Sequence, residues 1–423
     1  MDKAYLALGI FLLAYVLFVC FSTRRSWIAV LGSVAVLLTG VLHPFEAFRA
    51  INWNVMGIFV GTLVVADLFM ESRVPAYIAE ILVDRSRNTA WAILAICGLT
   101  SFISAFVENV ATVLIVAPIA LEVSRKLKIS PVGMMIALAI SSNLQGTATL
   151  IGDPPSMLLA GFAKMNFGDF FFYQGRPSIF FAVQAGAVLA FTVLYFVFRR
   201  ETAKVPVVAV EKVRSWVPTG MLVSLIVLLA LSSFLDTGFS YMAGILCMVY
   251  ALIGLLWDLL ANRSDVVKRV RGLDWDTTLF LVGIFVLVGS LTITGWVDRT
   301  ALFLSSMVGT NVFAGYSVLV LLAVLLSAFI DNVPFLAAML PVAISMADKL
   351  GVAPQLFLFG LLIGASLGGN ITPIGASANI VACGLLKKEG YPVGFREFGR
   401  IGIPFTIAAV FAAYLFVWFV WGR

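Results

Sequence analysis

Histidine occurs once in the chain, at His43, and no glycine is followed by lysine at any position. A single imidazole removes most histidine-based metal centres and the Ser-His arrangements of nucleophilic hydrolases. His43 stands just before Pro44 and reads as an interface residue, far in sequence from any candidate nucleophile. A membrane-embedded enzyme is therefore disfavoured, and no cofactor or metal is called for. The missing Gly-Lys pair removes the Walker-type phosphate loop, so the chain does not energise itself with ATP by that route. Charge is scarce as well: Asp, Glu, Lys and Arg make up 12% of residues, against about 25% in an ordinary soluble domain. The four cysteines, Cys20, Cys97, Cys247 and Cys383, stand singly in apolar segments. Their spacing fits neither a metal site nor a disulfide framework, and they read as small apolar packing residues.

Apolar sequence fills the space that charge leaves: 61% of the 423 residues are hydrophobic. The charged residues fall in short runs between apolar stretches of roughly 16–24 residues, long enough to cross a bilayer core. Spanning segments are expected near residues 4–20, 26–42, 54–71, 131–163 and 177–198, then 216–234, 239–258, 275–290, 354–386 and 401–421. The first is read as a retained helix rather than a signal peptide, because only Asp2 and Lys3 precede it and no small-residue cleavage site follows. The polar stretches are too short to fold alone. The net charge of +6 reports membrane orientation rather than nucleic-acid affinity.

An internal repeat organises the chain. Ser104-Ala105-Phe106-Val107-Glu108-Asn109-Val110 recurs as Ser327-Ala328-Phe329-Ile330-Asp331-Asn332-Val333, an offset of 223. At the same offset Pro118 meets Pro341, Pro131 meets Pro354, Gly146 meets Gly369, Thr149 meets Thr372, and Ile151-Gly152 meets Ile374-Gly375. Duplication is the simplest source of one constant offset over so many positions. It divides the chain into a first repeat (residues 1–200), a cytoplasmic linker (201–215) and a second repeat (216–423).

Two further apolar segments, about residues 90–124 and 314–347, carry the repeated motif at their centres. Each is too long for one helix and has a charged turn in the middle, so each is read as a re-entrant helical hairpin. Charge placement tests this reading. With hairpins, 21 of the 28 Lys and Arg fall on one membrane face and 7 on the other. With single spanning helices the split is 12 to 16. The positive-inside rule favours the hairpins, the charge-rich face cytoplasmic and both termini external. Five crossings per half then invert the second half relative to the first. Segments 74–87 and 296–309, of mixed polarity, fit helices lying along the interface. The fold class is an all-α polytopic membrane protein: about ten transmembrane helices plus two re-entrant hairpins, in two inverted repeats, with broken helices at the site. Inverted repeats with interrupted helices at mid-membrane mark secondary transporters.

Four elements break helices inside the membrane: the turns Glu108-Asn109 and Asp331-Asn332, the run from Gly146 to Pro155, and the run from Gly369 to Asn379. Backbone groups freed by their glycines and prolines are tolerated at that depth only where they are buried in protein or line a cavity. Helix ends converging there add partial charges, positive at N-termini and negative at C-termini. Hydroxyls and amides in these runs supply neutral ligands: Asn109, Thr147, Thr149, Asn332, Asn370, Thr372 and Ser377. For Thr149 and Thr372, a hydroxyl bonded back to the main chain is a close competitor to a ligand. Four acids are candidates for coupling a proton or a sodium ion: Glu108, Asp331, Asp153 and Asp67. Asp153 precedes two prolines and also fits a helix cap, with Ala376 at the matching position; Asp67 also fits a solvated helix end.

These motifs resemble those of the ion transporter superfamily. The resemblance rests on Phe106-Val-Glu-Asn-Val-Ala-Thr, Phe329-Ile-Asp-Asn-Val-Pro-Phe, Thr149-Leu-Ile-Gly-Asp-Pro-Pro-Ser and the run Gly368 to Asn379, and it covers nearly the whole chain. It is closest to the branch of arsenite efflux permeases, sodium/proton antiporters and the melanocyte P protein, with dicarboxylate/sodium symporters more distant. The resemblance implies a homodimer whose hairpin-bearing transport domains move like elevators against a scaffold, in a prokaryotic inner membrane. It places the site on Asn109, Thr147, Thr149, Asn332, Asn370 and Thr372. The family's dicarboxylate carriers have Ser-Asn-Thr at the hairpin turns, whereas an acid precedes each Asn here. Two carboxylates beside the site repel a dicarboxylate, so proton-coupled efflux of uncharged arsenous or antimonous acid is expected. The resemblance to arsenite permeases also implies a soluble arsenite-stimulated ATPase as a partner. The alternatives are a sodium/proton antiporter, whose cation would use the same oxygens, and a dicarboxylate or other anion transporter or channel.

Overall fold

The offset of 223 returns as a matched order of helices. The structure, a computed structural model, describes residues 3–21, 24–127, 129–203 and 212–422. Each half supplies ten helices among the described residues. The first half runs α1 (Lys3–Cys20), α2 (Arg25–Leu38), α3 (Pro44–Ala50), α4 (Trp53–Glu71), α5 (Val74–Asp84), α6 (Thr89–Ser104), α7 (Asn109–Leu127), α8 (Val132–Gly146), α9 (Pro154–Ala163) and α10 (Ile179–Phe198). The second runs α11 (Val217–Ser232), α12 (Met242–Asn262), α13 (Val266–Gly272), α14 (Trp275–Ile293), α15 (Trp296–Val308), α16 (Val312–Ser327), α17 (Asn332–Leu350), α18 (Gln355–Gly368), α19 (Ser377–Lys388) and α20 (Phe395–Trp421). The helices flanking the repeated motif, α6 and α7, map onto α16 and α17 residue for residue. Part of the expected linker, 204–211, lies outside the described residues. A two-residue ribbon, β1 (Phe172–Tyr173) paired with β2 (Arg176–Pro177), is an addition to the all-helical expectation.

Local chemistry accounts for these boundaries. The twin residues Asn88 and Asn311 cap the hairpins' first arms: their side chains accept from the backbone N–H of Trp91 at 3.1 Å and of Ala314 at 3.0 Å. Asn52 and Asp274 cap α4 and α14 in the same way. Such caps satisfy N–H groups that a helix start leaves without partners. Among the described residues, seven helices are long and apolar enough to cross a membrane. The chain bends by 118° between α15 and α16, where α15 turns into the first arm of the second hairpin.

The helices form two bodies. In one, α4 packs along α12 and α2 along α14, with α1 and α11 beside them. In the other, the hairpins α6/α7 and α16/α17 pack on the broken helices α8/α9 and α18/α19, and α10 packs along α20. Helices α5 and α15 touch both bodies. Aliphatic and aromatic side chains fill the interior, whereas α1, α11 and α12 carry many exposed large apolar residues, as lipid-facing helices do.

Candidate substrate and coupling site

Both hairpin tips are tied to the helix breaks by the same bond. The Thr149 hydroxyl donates to the carbonyl of Ala105, and the Thr372 hydroxyl donates to the carbonyl of Ala328. Both threonine hydroxyls thus donate to main-chain carbonyls of the hairpin tips. The chain turns that pass beneath the tips are tight. A Cβ on Gly152 would lie 2.9 Å from the Ser104 carbonyl oxygen, and one on Gly375 would lie 2.9 Å from that of Ala328. No other residue allows so close an approach of backbone to backbone.

Behind the tips a chain of amides joins the two halves. Asn109 donates to Asn143 Oδ1 at 3.0 Å, and Asn143 donates in turn to Asn370 Oδ1 at 2.8 Å and to Asn379 Oδ1 at 2.9 Å. Asn379 donates to the carbonyls of Gly369 and Thr372, each at 3.0 Å. All four are buried, and a buried amide network is stable only when its members are satisfied. Asn143 has no amide twin: the matching residue is Ser366, whose buried hydroxyl has no hydrogen-bond partner among the described residues.

In front of the tips lies a cavity of about 30 Å³ lined by Arg25, Glu108, Asn109, Val110, Pro154, Pro155, Asp274, Thr277, Asn332, Val333, Ala376 and Ser377. It opens beside a vestibule of about 560 Å³ that shares Arg25, Val110, Asp274 and Ser377 and adds Asp276, Asp331 and several apolar residues. The inner cavity takes a solute of only a few heavy atoms; a single water needs roughly 10–15 Å³ on this measure. Its walls carry one cation, Arg25, and two acids, Glu108 and Asp274. The Asn332 amide makes no hydrogen bond among the described residues and is free to meet a solute.

The candidate residues thus separate. Asn109, Asn332, Ser377 and Glu108 line the inner cavity, and Asp331 lines the vestibule. Thr147, Thr149, Asn370 and Thr372 lie behind it, committed to protein partners; the Thr147 hydroxyl donates to the Asn143 carbonyl at 3.2 Å. Asp153 is 1% exposed and caps α9 by accepting from the Ser156 N–H at 2.9 Å. Asp67 is not in this cavity. It pairs with Arg269, which also pairs with Glu71 and, at 2.8 Å, with Asp258. Burial works against the Arg269 charge, but the hydrogen bonds to Glu71 and Asp67 together with the charges of Asp67 and Asp258 outweigh it and hold the guanidinium well above its ordinary range.

A family model described as citrate transporter (CitMHS) matches residues 15–364 and again 242–423. The chain belongs to the CitMHS citrate transporter family. It is thereby an integral membrane transporter of the ion transporter superfamily. It is 29% identical over 422 residues to an uncharacterized transporter of Mycobacterium tuberculosis, covering 97% of each chain. It is 26% identical over 488 residues to the P protein of Mus musculus, covering 95% of this chain and 59% of that one. Its fold is similar to that of the YdaH transporter of Alcanivorax borkumensis, with a TM-score of 0.62, 16% identity and coverage of 99% and 98%.

Four residues of this site are absent from the sequence-derived set: Arg25, Asp274, Asn143 and Asn379. Asn379 closes the motif run at Gly368, and Asn143 is an amide in a strongly apolar segment, so both carried a signal. Arg25 stands at a helix start among the charges of one membrane face, where its sequence position alone does not separate it from its neighbours; the packing of α2 against α14 turns it inward.

Proposed function

We propose that this chain is an ion-gradient-driven transporter that exports a small uncharged oxyacid, arsenous or antimonous acid, in exchange for protons. The charge of the inner cavity carries this reading. Glu108 and Asp274 outnumber the one guanidinium, which is itself engaged with Asp331. A free di- or tricarboxylate would meet net negative walls, at roughly 4 kcal/mol for each like-charge pair about 4 Å apart at an effective dielectric near 20. Arsenous acid escapes that cost and offers hydroxyls to Asn109, Asn332 and Ser377. The scattered cysteines fit rapid release, since thiolates would grip soft trivalent arsenic firmly.

In this reading the hairpin body slides as an elevator against the α2/α4/α12/α14 frame, in a homodimer within a prokaryotic plasma membrane, both termini external. A soluble arsenite-stimulated ATPase partner would appear as ATP-dependent flux. Two other readings have an observation of their own. Sodium/proton antiport is favoured by the acids of so small a cavity. Carboxylate transport is favoured by Arg25, which faces both cavities, and by the family's name; it requires Arg25 to leave Asp331, or a cation to accompany the anion.

The test is proton flux into liposomes holding the purified protein and a pH-sensitive dye. Arsenite-driven flux supports the export reading. Flux with sodium alone replaces it with antiport, flux with citrate alone replaces it with carboxylate transport, and single-channel currents without coupling replace it with a channel.

A further inference from the structure

The repeat makes Glu108 and Asp331 formal equivalents, yet their surroundings differ. Asp331 is ion-paired with Arg25, which comes from α2, outside the repeated motifs. Arg25 is itself fixed on three sides. Its Nη2 donates to the Thr277 hydroxyl at 3.0 Å, its Nε lies 3.7 Å from Asp276 Oδ2, and its guanidinium stands 5.4 Å from the centre of the Phe280 ring. The matching helix of the second half, α12, contains no Lys or Arg, so it brings no cation to the first hairpin. Glu108 accepts from the Ala111 N–H of its own hairpin at 2.9 Å, and no cation pairs with it among the described residues. The charged groups facing Glu108 are Arg25 and Asp274 across the inner cavity, and those facing Asp331 are Arg25, Asp274 and Asp276.

We infer that Arg25 is a positioning residue that makes the twin acids inequivalent: it latches the second hairpin tip to α2 and α14 through Asp331, and leaves Glu108 as the one hairpin acid that exchanges a coupling proton. Protonating Asp331 would cost an ion pair, whereas protonating Glu108 breaks none. On the external face a Glu108 oxygen takes a proton from water and an O–H bond forms. On the cytoplasmic face that bond breaks, the proton returns to water, and the cavity accepts solute. One proton then accompanies each turnover. The assignment of Glu108 rests on the ion-coupled reading proposed above; the latch does not.

Two measurements separate the parts. The first is thermal melting of the purified full chain in detergent for Arg25→Gln, Asp331→Asn and the double variant. The latch predicts that the double variant melts well above the sum of the single losses, whereas Arg25→Gln combined with Glu108→Gln is additive. Additive losses for Arg25 and Asp331 overturn the latch. The second is the number of protons moved per arsenite, or per sodium ion if sodium drives the flux. Glu108→Gln loses coupling. Arg25→Gln frees Asp331 and raises the ratio, adding Asp331→Asn returns it to the original value, and Arg25→Lys leaves it unchanged. Coupling that survives Glu108→Gln, or a ratio that ignores Arg25→Gln, overturns the division of roles. Failure of arsenite, sodium and citrate alike to drive flux in the unaltered protein counts against the transport reading and the Glu108 assignment together, and the melting cycle still decides the latch.

Discussion

Thr149 donates its hydroxyl proton to the carbonyl oxygen of Ala105, and so pins the break between α8 and α9 to the tip of the first hairpin. Thr372 and Ala328 repeat the bond in the second half. The acceptors are backbone groups at the ends of α6 and α16, which the hairpin turns leave without helical partners. Replacing either threonine with valine keeps the shape and removes the donor, leaving a buried carbonyl unsatisfied. Each Thr→Val variant is expected to lose about 1–3 kcal/mol of stability, and Thr→Ser to keep most of it. Melting in detergent reads the difference; equal losses for valine and serine would assign the effect to packing instead.

Gly152 and Gly375 allow the breaks to pass under the tips. Alanine at either position would push its Cβ into backbone oxygen, which cannot rotate away. Gly152→Ala and Gly375→Ala are each expected to cost about 1–3 kcal/mol, seen as a lower melting temperature and a loss of monodisperse protein in size-exclusion chromatography. An alanine at the exposed Gly220, which has open space around it, serves as the control and is expected to fold normally.

Asn143 bridges the halves. Asn143→Ala strands amide groups on Asn109, Asn370 and Asn379 and is expected to destabilise the chain by about 2 kcal/mol or more. Asn109→Ala removes one arm of the network and costs less. Melting of the two variants side by side checks the order; the reverse order would mean that Asn109 rather than Asn143 anchors the network.

Much of this was legible in the sequence, because duplication writes its own register. The bounds of helices α6 and α7 match those of α16 and α17 at the offset that Glu108-Asn109 and Asp331-Asn332 already displayed, and Gly and Pro marked the breaks. The division among the polar candidates was not legible. Whether Thr149 faces a solute or a carbonyl depends on how a break folds under a hairpin tip, which short-range pattern does not encode. Arg25 was hidden for a related reason: a charge at a helix start points to water or inward depending on its neighbour, here Asp331 from 306 positions away.

Arg269 illustrates the same long-range pairing at the ends of α4 and α12. It joins α13 to the ends of α4 and α12 through Asp67, Glu71 and the buried Asp258, which also accepts from Asn262 at 2.8 Å. Arg269→Gln leaves Asp258 without its cation and is expected to cost about 3 kcal/mol. Adding Asp258→Asn is expected to recover part of that loss. A double variant no more stable than Arg269→Gln alone would show that the buried charge is not the source of the cost.

The central claim is that solute passes through the inner cavity at the hairpin tips. Arsenite-driven proton flux in liposomes, compared between the unaltered protein, Asn109→Ala and Asn332→Ala at matched protein content, tests it most directly. The account predicts robust flux in the first and its loss in both variants, with Asn332→Ala still melting near the unaltered temperature because its amide bonds to no group among the described residues. Undiminished flux in folded Asn332→Ala would contradict the account and move the solute path elsewhere.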